Sequence, residues 1–202
     1  MTKINLQVID PNTTYIDEDA EIGKGTTIYP NTTILGKTVI GANCEIGPNS
    51  VIQDSKIGNK CVIFYSVIKN SHIGDRSDVG PFAHLRDKAN VGKNTHIGNF
   101  VEIIRSKIED NSKIGHVSYI GDTTVGSNVN IGAGTIVANY NGQVKNKTYI
   151  EDGVFIGANT VLVAPVKVNQ GAKTGAGAVV LEDVPKNTLV VGIPAIEKKK
   201  LP

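Results

Sequence analysis

The sequence predicts an all-β solenoid, a parallel β-helix of about nine to ten short three-sided coils. Three observations carry this reading. Aliphatic residues recur every five or six positions almost from end to end. A small or β-branched residue stands two places before most of them, and glycine commonly follows. Among 202 residues, 22 are Gly, only 5% are aromatic and none is Trp, which suits an Ile/Val-packed β scaffold better than a helical bundle.

The aliphatic series starts at Ile16 and steps by six through Ile22, Ile28, Ile34, Ile40 and Ile46 to Ile52. Shorter steps give Ile57, Ile68, Ile73, Ile108 and Val125, and sixes fill the rest up to Val137. The series resumes at Ile150 and runs through Ile156, Leu162, Val168 and Thr174 to Val180; of its 28 members only Thr174 is not aliphatic. The second column includes Thr26, Thr32, Thr38, Cys44, Ser50, Cys61, Ser66, Ser118 and Thr135. A period of six is neither helical nor a simple strand alternation; it is a short strand plus a turn. One such unit cannot bury its own apolar residue, but three make a triangular coil, and stacked coils share a continuous core. With strands about 4.8 Å apart, nine coils would stand some 45 Å tall. The glycine after each aliphatic is expected to serve the corner, where a backbone without Cβ turns most freely.

Residues 1–15 read as a pad on the first coil, 16–183 as the β-helix and 184–202 as a cap with a basic tail. One segment, 138–149 (ANYNGQVKNKTY), breaks the repeat and carries the turn signal Asn141-Gly142. It reads as a loop thrown outward from a rigid scaffold, the kind of place where function concentrates.

Several classes are disfavoured. A net charge of +2 gives no reason for a nucleic-acid partner, and the run Glu197 to Lys200 reads as a solvated tail. No apolar run approaches the ~18 residues of a membrane span, and the first residues lack a signal-peptide core, so a cytoplasmic protein is expected. Two cysteines make no disulfide framework; Cys44 and Cys61 share one phase and read as stacked core thiols. His72, His84 and His96 each precede an aliphatic but fall on three different faces, so no metal site is expected.

In a solenoid, sequence phase becomes spatial position. His116 lies two places past Ile114, and the same phase on the following coils is Ala133, Ala158 and Ala176. One corner should therefore carry a histidine at the foot of an alanine column, a slot about 14 Å long at the strand spacing. It would suit a slender pantetheine arm with a possible base at its end. Arg86 follows Leu85, with Ile104 one coil above, and its guanidinium suits an anion.

The runs GPFAHLR (80–86), HIGNFVE (96–102), GHVSYIGD (115–122), NVNIGAGTIVANYNG (128–142), VFIGANTVLVAPV (154–166) and GAGAVV (175–180) resemble one family. It is the acetyltransferase domain of the bifunctional bacterial N-acetylglucosamine-1-phosphate uridyltransferase / glucosamine-1-phosphate N-acetyltransferases, within the hexapeptide-repeat acyltransferases. The resemblance implies a left-handed helix, a homotrimer with sites between subunits, and acetyl transfer from acetyl-CoA to the 2-amino group of glucosamine 1-phosphate. It implies His116 as general base, Arg86, Glu102, Tyr119, Asn130 and Lys145 as acceptor ligands, and Ala133, Asn139, Tyr140, Ala158 and Ala176 along the acetyl-CoA site. No metal is implied. The chain departs from the family at Ile104, where a lysine is usual, at Ala158, where serine is usual, and at Ile193, where an arginine is usual; Lys198 to Lys200 are a candidate replacement for that last charge. No Gly-rich nucleotide loop precedes the repeat, so uridyl transfer is not expected of this chain. Two other readings stay open: transfer to another amino sugar or an amino-sugar nucleotide, and a non-catalytic β-helix module.

Overall fold

A computed structural model describes residues 6–200. Among these, every regular element is a strand, and the strands form three sheets, parallel except at the last strand, that are the faces of a left-handed β-helix of about 10 turns. Face 1 has 12 strands, from Gln7–Val8 to Ile196–Lys200. Face 2 has 10, from Tyr15–Ile16 to Val179–Val180, and face 3 has 9, from Glu21–Ile22 to Val166–Val168. There is no helix long and apolar enough to cross a membrane among the described residues.

The register follows the repeat. Ile97 pairs with Ile114 and Ile114 with Ile131 on face 1, while Leu85 pairs with Ile103 and Ile103 with Ile120 on face 2. From Ile28 upward every member of the series is buried, and Ile16 and Ile22 are partly buried at the lower end. Thr174 is buried too: its hydroxyl accepts from the Gly157 N–H at 2.9 Å and lies 2.9 Å from the Thr160 hydroxyl. Its polar group is satisfied, so the column tolerates it.

The second column has a polar purpose beyond small size. Oxygens of Thr26, Ser50, Ser55 and Ser66 accept the backbone N–H of Cys44, Ser66, Ser71 and Ala83, each one coil above, at 3.0–3.3 Å. Corner amides that the ladders cannot reach are thus paired inside the prism. Cys44 and Cys61 stack in this column, the Cys61 N–H pointing at the Cys44 sulfur at 3.4 Å.

Two of the glycines that follow the aliphatics, Gly47 and Gly80, have the positive φ of a turn, and others act differently from the expectation above. Gly23, Gly41 and Gly74 do not have positive φ; a Cβ there would meet the backbone of the next coil at 2.5–2.6 Å. Close approach of coils excludes a side chain. The left-handed corner positions fall two residues later, at Gly25 and Asn43 among others, and asparagine tolerates that region better than most residues.

Gln7–Val8 already pairs in register with Thr27–Ile28. At the other end Ile196–Lys200 folds back antiparallel on Thr188–Val191, every residue exposed. Lysines on an edge strand discourage a further strand from adding.

Candidate active site

His116 ends the strand Lys113–His116 at the corner between faces 1 and 2, paired with Asn99 on the coil below. The imidazole is exposed, and its Nδ1 lies 2.5 Å from the Asn99 Oδ1. An amide oxygen can only accept, so Nδ1 carries the proton and Nε2 keeps a free lone pair. Above it, the Gly134 N–H donates to the His116 carbonyl at 3.3 Å, Asn159 to that of Ala133 at 2.6 Å and Gly177 to that of Ala158 at 2.7 Å. These bonds stack Ala133, Ala158 and Ala176 over His116, as the phase requires. The Ala133 N–H has no acceptor among the described residues.

Face 2 carries the polar groups. His84, Glu102, Tyr119 and Ile136 stand one above another. Arg86 pairs with Ile104, and its Nε and Nη2 donate to Glu102 Oε1 at 2.8 and 2.6 Å. Ile104 is outward by alternation yet only 2% exposed, and it lies outside the core cluster. Arg105, at the corner between faces 2 and 3, grips Asp122 in a fork, Nε to Oδ1 at 2.7 Å and Nη2 to Oδ2 at 2.9 Å. The Asn139 amide donates to the same Oδ2 at 2.6 Å. The Arg105 guanidinium beside it, with the Asn139 amide behind, holds the Asp122 carboxyl below the usual carboxylate range. Burial lowers the His84 imidazole, against the pull of the Glu102 charge.

Tyr119 reaches the same edge. A Cβ on Gly121 would stand 2.6 Å from both the Tyr119 hydroxyl and the Asn139 Nδ2, so the missing side chain leaves room for those two groups to converge. Arg86, Glu102, Tyr119 and Asn139 therefore lie together on or beside face 2. Asn130 stands on face 1 between Lys113 and Phe155. The loop lies between strands Ile136–Ala138 and Thr148–Ile150. Tyr140 and Lys145 close it as a bridge, and the Asn141 Oδ1 accepts the Gln143 and Val144 N–H groups at 3.0 and 2.9 Å. Within one chain the loop stands at the far edge of face 2 from His116. Sequence reasoning grouped Asn139 and Tyr140 with the alanines; the fold separates them by the width of the strand Tyr119–Gly121, about 10 Å.

Sequence reasoning missed three features. Asn99 orients His116, and its only signal was its place one coil below. Asp122 joins Arg105 to Asn139. Tyr65, Phe82 and Phe100 form an exposed ladder beside His116, with ring centroids 5.8 and 5.2 Å apart. Each, like Val117 above them, has positive φ, an unfavourable conformation for bulky residues. The spacings of 17 and 18 residues were legible as one coil each. His72, His84 and His96 lie on faces 3, 2 and 1. A depression of about 640 Å³ on face 3, lined by Glu109, Tyr149, Glu151 and Lys167, contains none of the residues above.

Comparison with known proteins fits this geometry. A bacterial transferase hexapeptide (six repeats) family model matches residues 19–54 and 147–182, and a hexapeptide repeat of succinyl-transferase model matches 106–138. The bifunctional protein GlmU of Carboxydothermus hydrogenoformans is 53% identical over 184 residues, 91% of this chain and 41% of that protein. GlmU of Thermotoga maritima is 54% identical over 185 residues, 92% of this chain and 42% of that protein. The chain thus spans about two-fifths of the length of these relatives. Among solved structures, the UDP-N-acetylglucosamine acyltransferase of Francisella novicida superposes with a TM-score of 0.65 at 19% identity, covering 96% of this chain and 70% of that one. The N-acyltransferase AntD of Bacillus cereus does so at 0.58 and 20%, covering 69% of this chain and 84% of that one. The last two likenesses concern the fold. With the repeat, the register and the half-identical relatives in agreement, the chain belongs to the bacterial hexapeptide-repeat transferases, as kin of one portion of the bifunctional GlmU proteins.

Proposed function

We propose that the chain is an acetyl-CoA-dependent N-acetyltransferase acting on the 2-amino group of glucosamine 1-phosphate, with His116 as general base. The observation that carries this is the exposed His116 at the foot of the alanine column, its Nδ1 paired with Asn99, in a chain about half identical to GlmU. The alanine methyls leave a slot about 14 Å long for a pantetheine arm. The amine nitrogen attacks the thioester carbonyl, Nε2 takes a proton from it, and the carbon–sulfur bond breaks to release the thiolate, which takes that proton back from the imidazolium. The Ala133 N–H is free to meet the negative charge growing on the carbonyl oxygen. Arg86, Glu102, Tyr119, Asn130 and Lys145 hold the acceptor, and Asn139 and Tyr140 contribute to the acetyl-CoA site from a neighbouring copy.

The Asn99 carbonyl also stabilises the imidazolium that forms. A hydrogen bond to a charged group is worth roughly 1.5–3 kcal/mol. Asn99→Ala should therefore lower kcat about tenfold or more, read in initial rates at saturating substrates. A kcat within twofold of the parent would remove Asn99 from the mechanism.

The exposed ladder Tyr65, Phe82 and Phe100 supports an interface between copies of the chain, three around one axis in this reading. Sedimentation equilibrium should give three protomers; a monomer at working concentration would contradict it. The protein is assigned to the cytoplasm, where acetyl-CoA is made and used.

Ile104 motivates a second reading. It removes a cation from the acceptor face, and an acceptor whose charge does not fall at that position, another amino sugar or an amino-sugar nucleotide, would suit it. The deciding experiment follows thiol release from acetyl-CoA with glucosamine 1-phosphate, glucosamine and amino-sugar nucleotides. Release with glucosamine 1-phosphate at the highest kcat/KM supports the first reading, and another acceptor in first place supports the second. No release with any acceptor overturns both.

A further inference from the structure

Arg86 and Arg105 lie on successive coils and are held in the same way. Each gives its Nε and Nη2 to a carboxylate one coil above, Glu102 for Arg86 and Asp122 for Arg105. Each turns its remaining Nη1 toward one atom, Asp87 Oδ2, at 3.1 Å from Arg86 and 3.9 Å from Arg105. The Asp87 side chain is 52% exposed and sits on a corner with positive φ. Two guanidinium groups oriented from behind thus converge on one loosely held carboxylate. Arg105 also lines a depression of about 490 Å³ with Lys88, Lys107 and Lys147; Asp122 is the carboxylate in its lining, and Lys107 is paired with Glu109.

We infer that Arg105 is the second jaw of a phosphate clamp with Arg86, and that Asp87 is a resident counter-ion that an acceptor phosphate displaces. This rests on the reading of the acceptor as a phosphorylated amino sugar. Guanidinium donors fixed by Glu102 and Asp122 lose little freedom on meeting an anion. A phosphate monoester offers up to two charges and three oxygens where Asp87 offers one charge, so exchange favours the phosphate while Asp87 swings into water. Position 104 then has no need of a cation: Ile104 is buried, and the next residue along supplies the charge. Face 2 at Tyr119–Gly121 is about 10 Å wide, the scale of one phosphorylated hexose between this clamp and the His116 corner.

The test compares the ratio of KM for glucosamine 1-phosphate to KM for glucosamine in the parent, Asp87→Asn, Arg105→Gln and the double variant. The clamp predicts that Asp87→Asn lowers the ratio about tenfold, because the competing anion is gone. Arg105→Gln should raise it at least tenfold, and the gain from Asp87→Asn should vanish when Arg105 is absent. A purely structural network predicts the reverse for Asp87→Asn: a lower melting temperature and a ratio unchanged or raised. Either of those ratios overturns the proposal.

If glucosamine 1-phosphate is not turned over at all, the proposed function fails separately. The clamp is then read by calorimetric titration of inorganic phosphate into the same variants. Tighter binding to Asp87→Asn and loss in Arg105→Gln support it. No phosphate binding to either the parent or Asp87→Asn overturns it.

Discussion

Replacing His116 with alanine should lower kcat by about 10²–10⁴-fold, the usual contribution of a positioned general base. The side chain is exposed, so the melting temperature should stay within about 1 °C of the parent, as surface substitutions generally allow. KM for both substrates should move little, because the imidazole acts on a proton and carries no binding contact in this reading. His116→Gln tests the same point with similar bulk and no base. A fall of less than tenfold in kcat would show that another group takes the proton.

The second large effect is on the scaffold beneath that histidine. Gly98 immediately precedes Asn99, and a Cβ built on it stands 1.8 Å from the Gly115 carbonyl oxygen and 2.6 Å from its carbon. Both are backbone atoms of the next coil, which no rotamer can move. Gly98→Ala must part the two coils that carry Asn99 and His116. The cost should be about 3 kcal/mol, at the upper end for overpacking. For a chain of this length that is roughly 6–12 °C in Tm, read by calorimetry. Because the displaced atoms adjoin the His116–Asn99 contact, kcat should fall as well. Gly115→Ala is the control: nothing lies within 4 Å of its Cβ and its φ is not positive, so its Tm should match the parent. Equal losses in the two variants would show that glycine at 98 is not required by coil spacing.

The scaffold was legible because its information is periodic. Each of Ile97, Ile114 and Ile131 has a partner 17 residues away, and three such units fix a triangular coil before any coordinate is known. The alanine column over His116 followed from the same phase and is found where the phase put it. The motifs likewise pointed to the family, and relatives sharing half the residues bear that out.

Less legible were the devices that depend on where a side chain turns. Strict alternation put Ile104 outward, and only the structure shows that it is buried. Arg105 carried no signal in the repeat, and its corner position lets the guanidinium swing toward the carboxylate that Arg86 also faces. The glycine after an aliphatic was read as a turn residue; Gly47 and Gly80 are that, with positive φ, whereas Gly23, Gly41 and Gly74 serve close approach of the coils instead. Grouping the loop residues Asn139 and Tyr140 with the alanine slot reflected the resemblance, while the two corners of face 2 hold them apart within one chain.

The sequence by itself determined the fold, the coil register, the family and the column in which His116 stands, because a one-dimensional repeat converts sequence separation directly into height. The tertiary structure alone decided the lateral relations around each coil: the Asn99 bond to His116, the fork between Arg105 and Asp122, and the convergence of two arginines on Asp87. Those depend on side-chain reach across corners in the left-handed backbone region. A hexad phase carries height and face, and it carries nothing about the direction in which a long side chain leaves the corner.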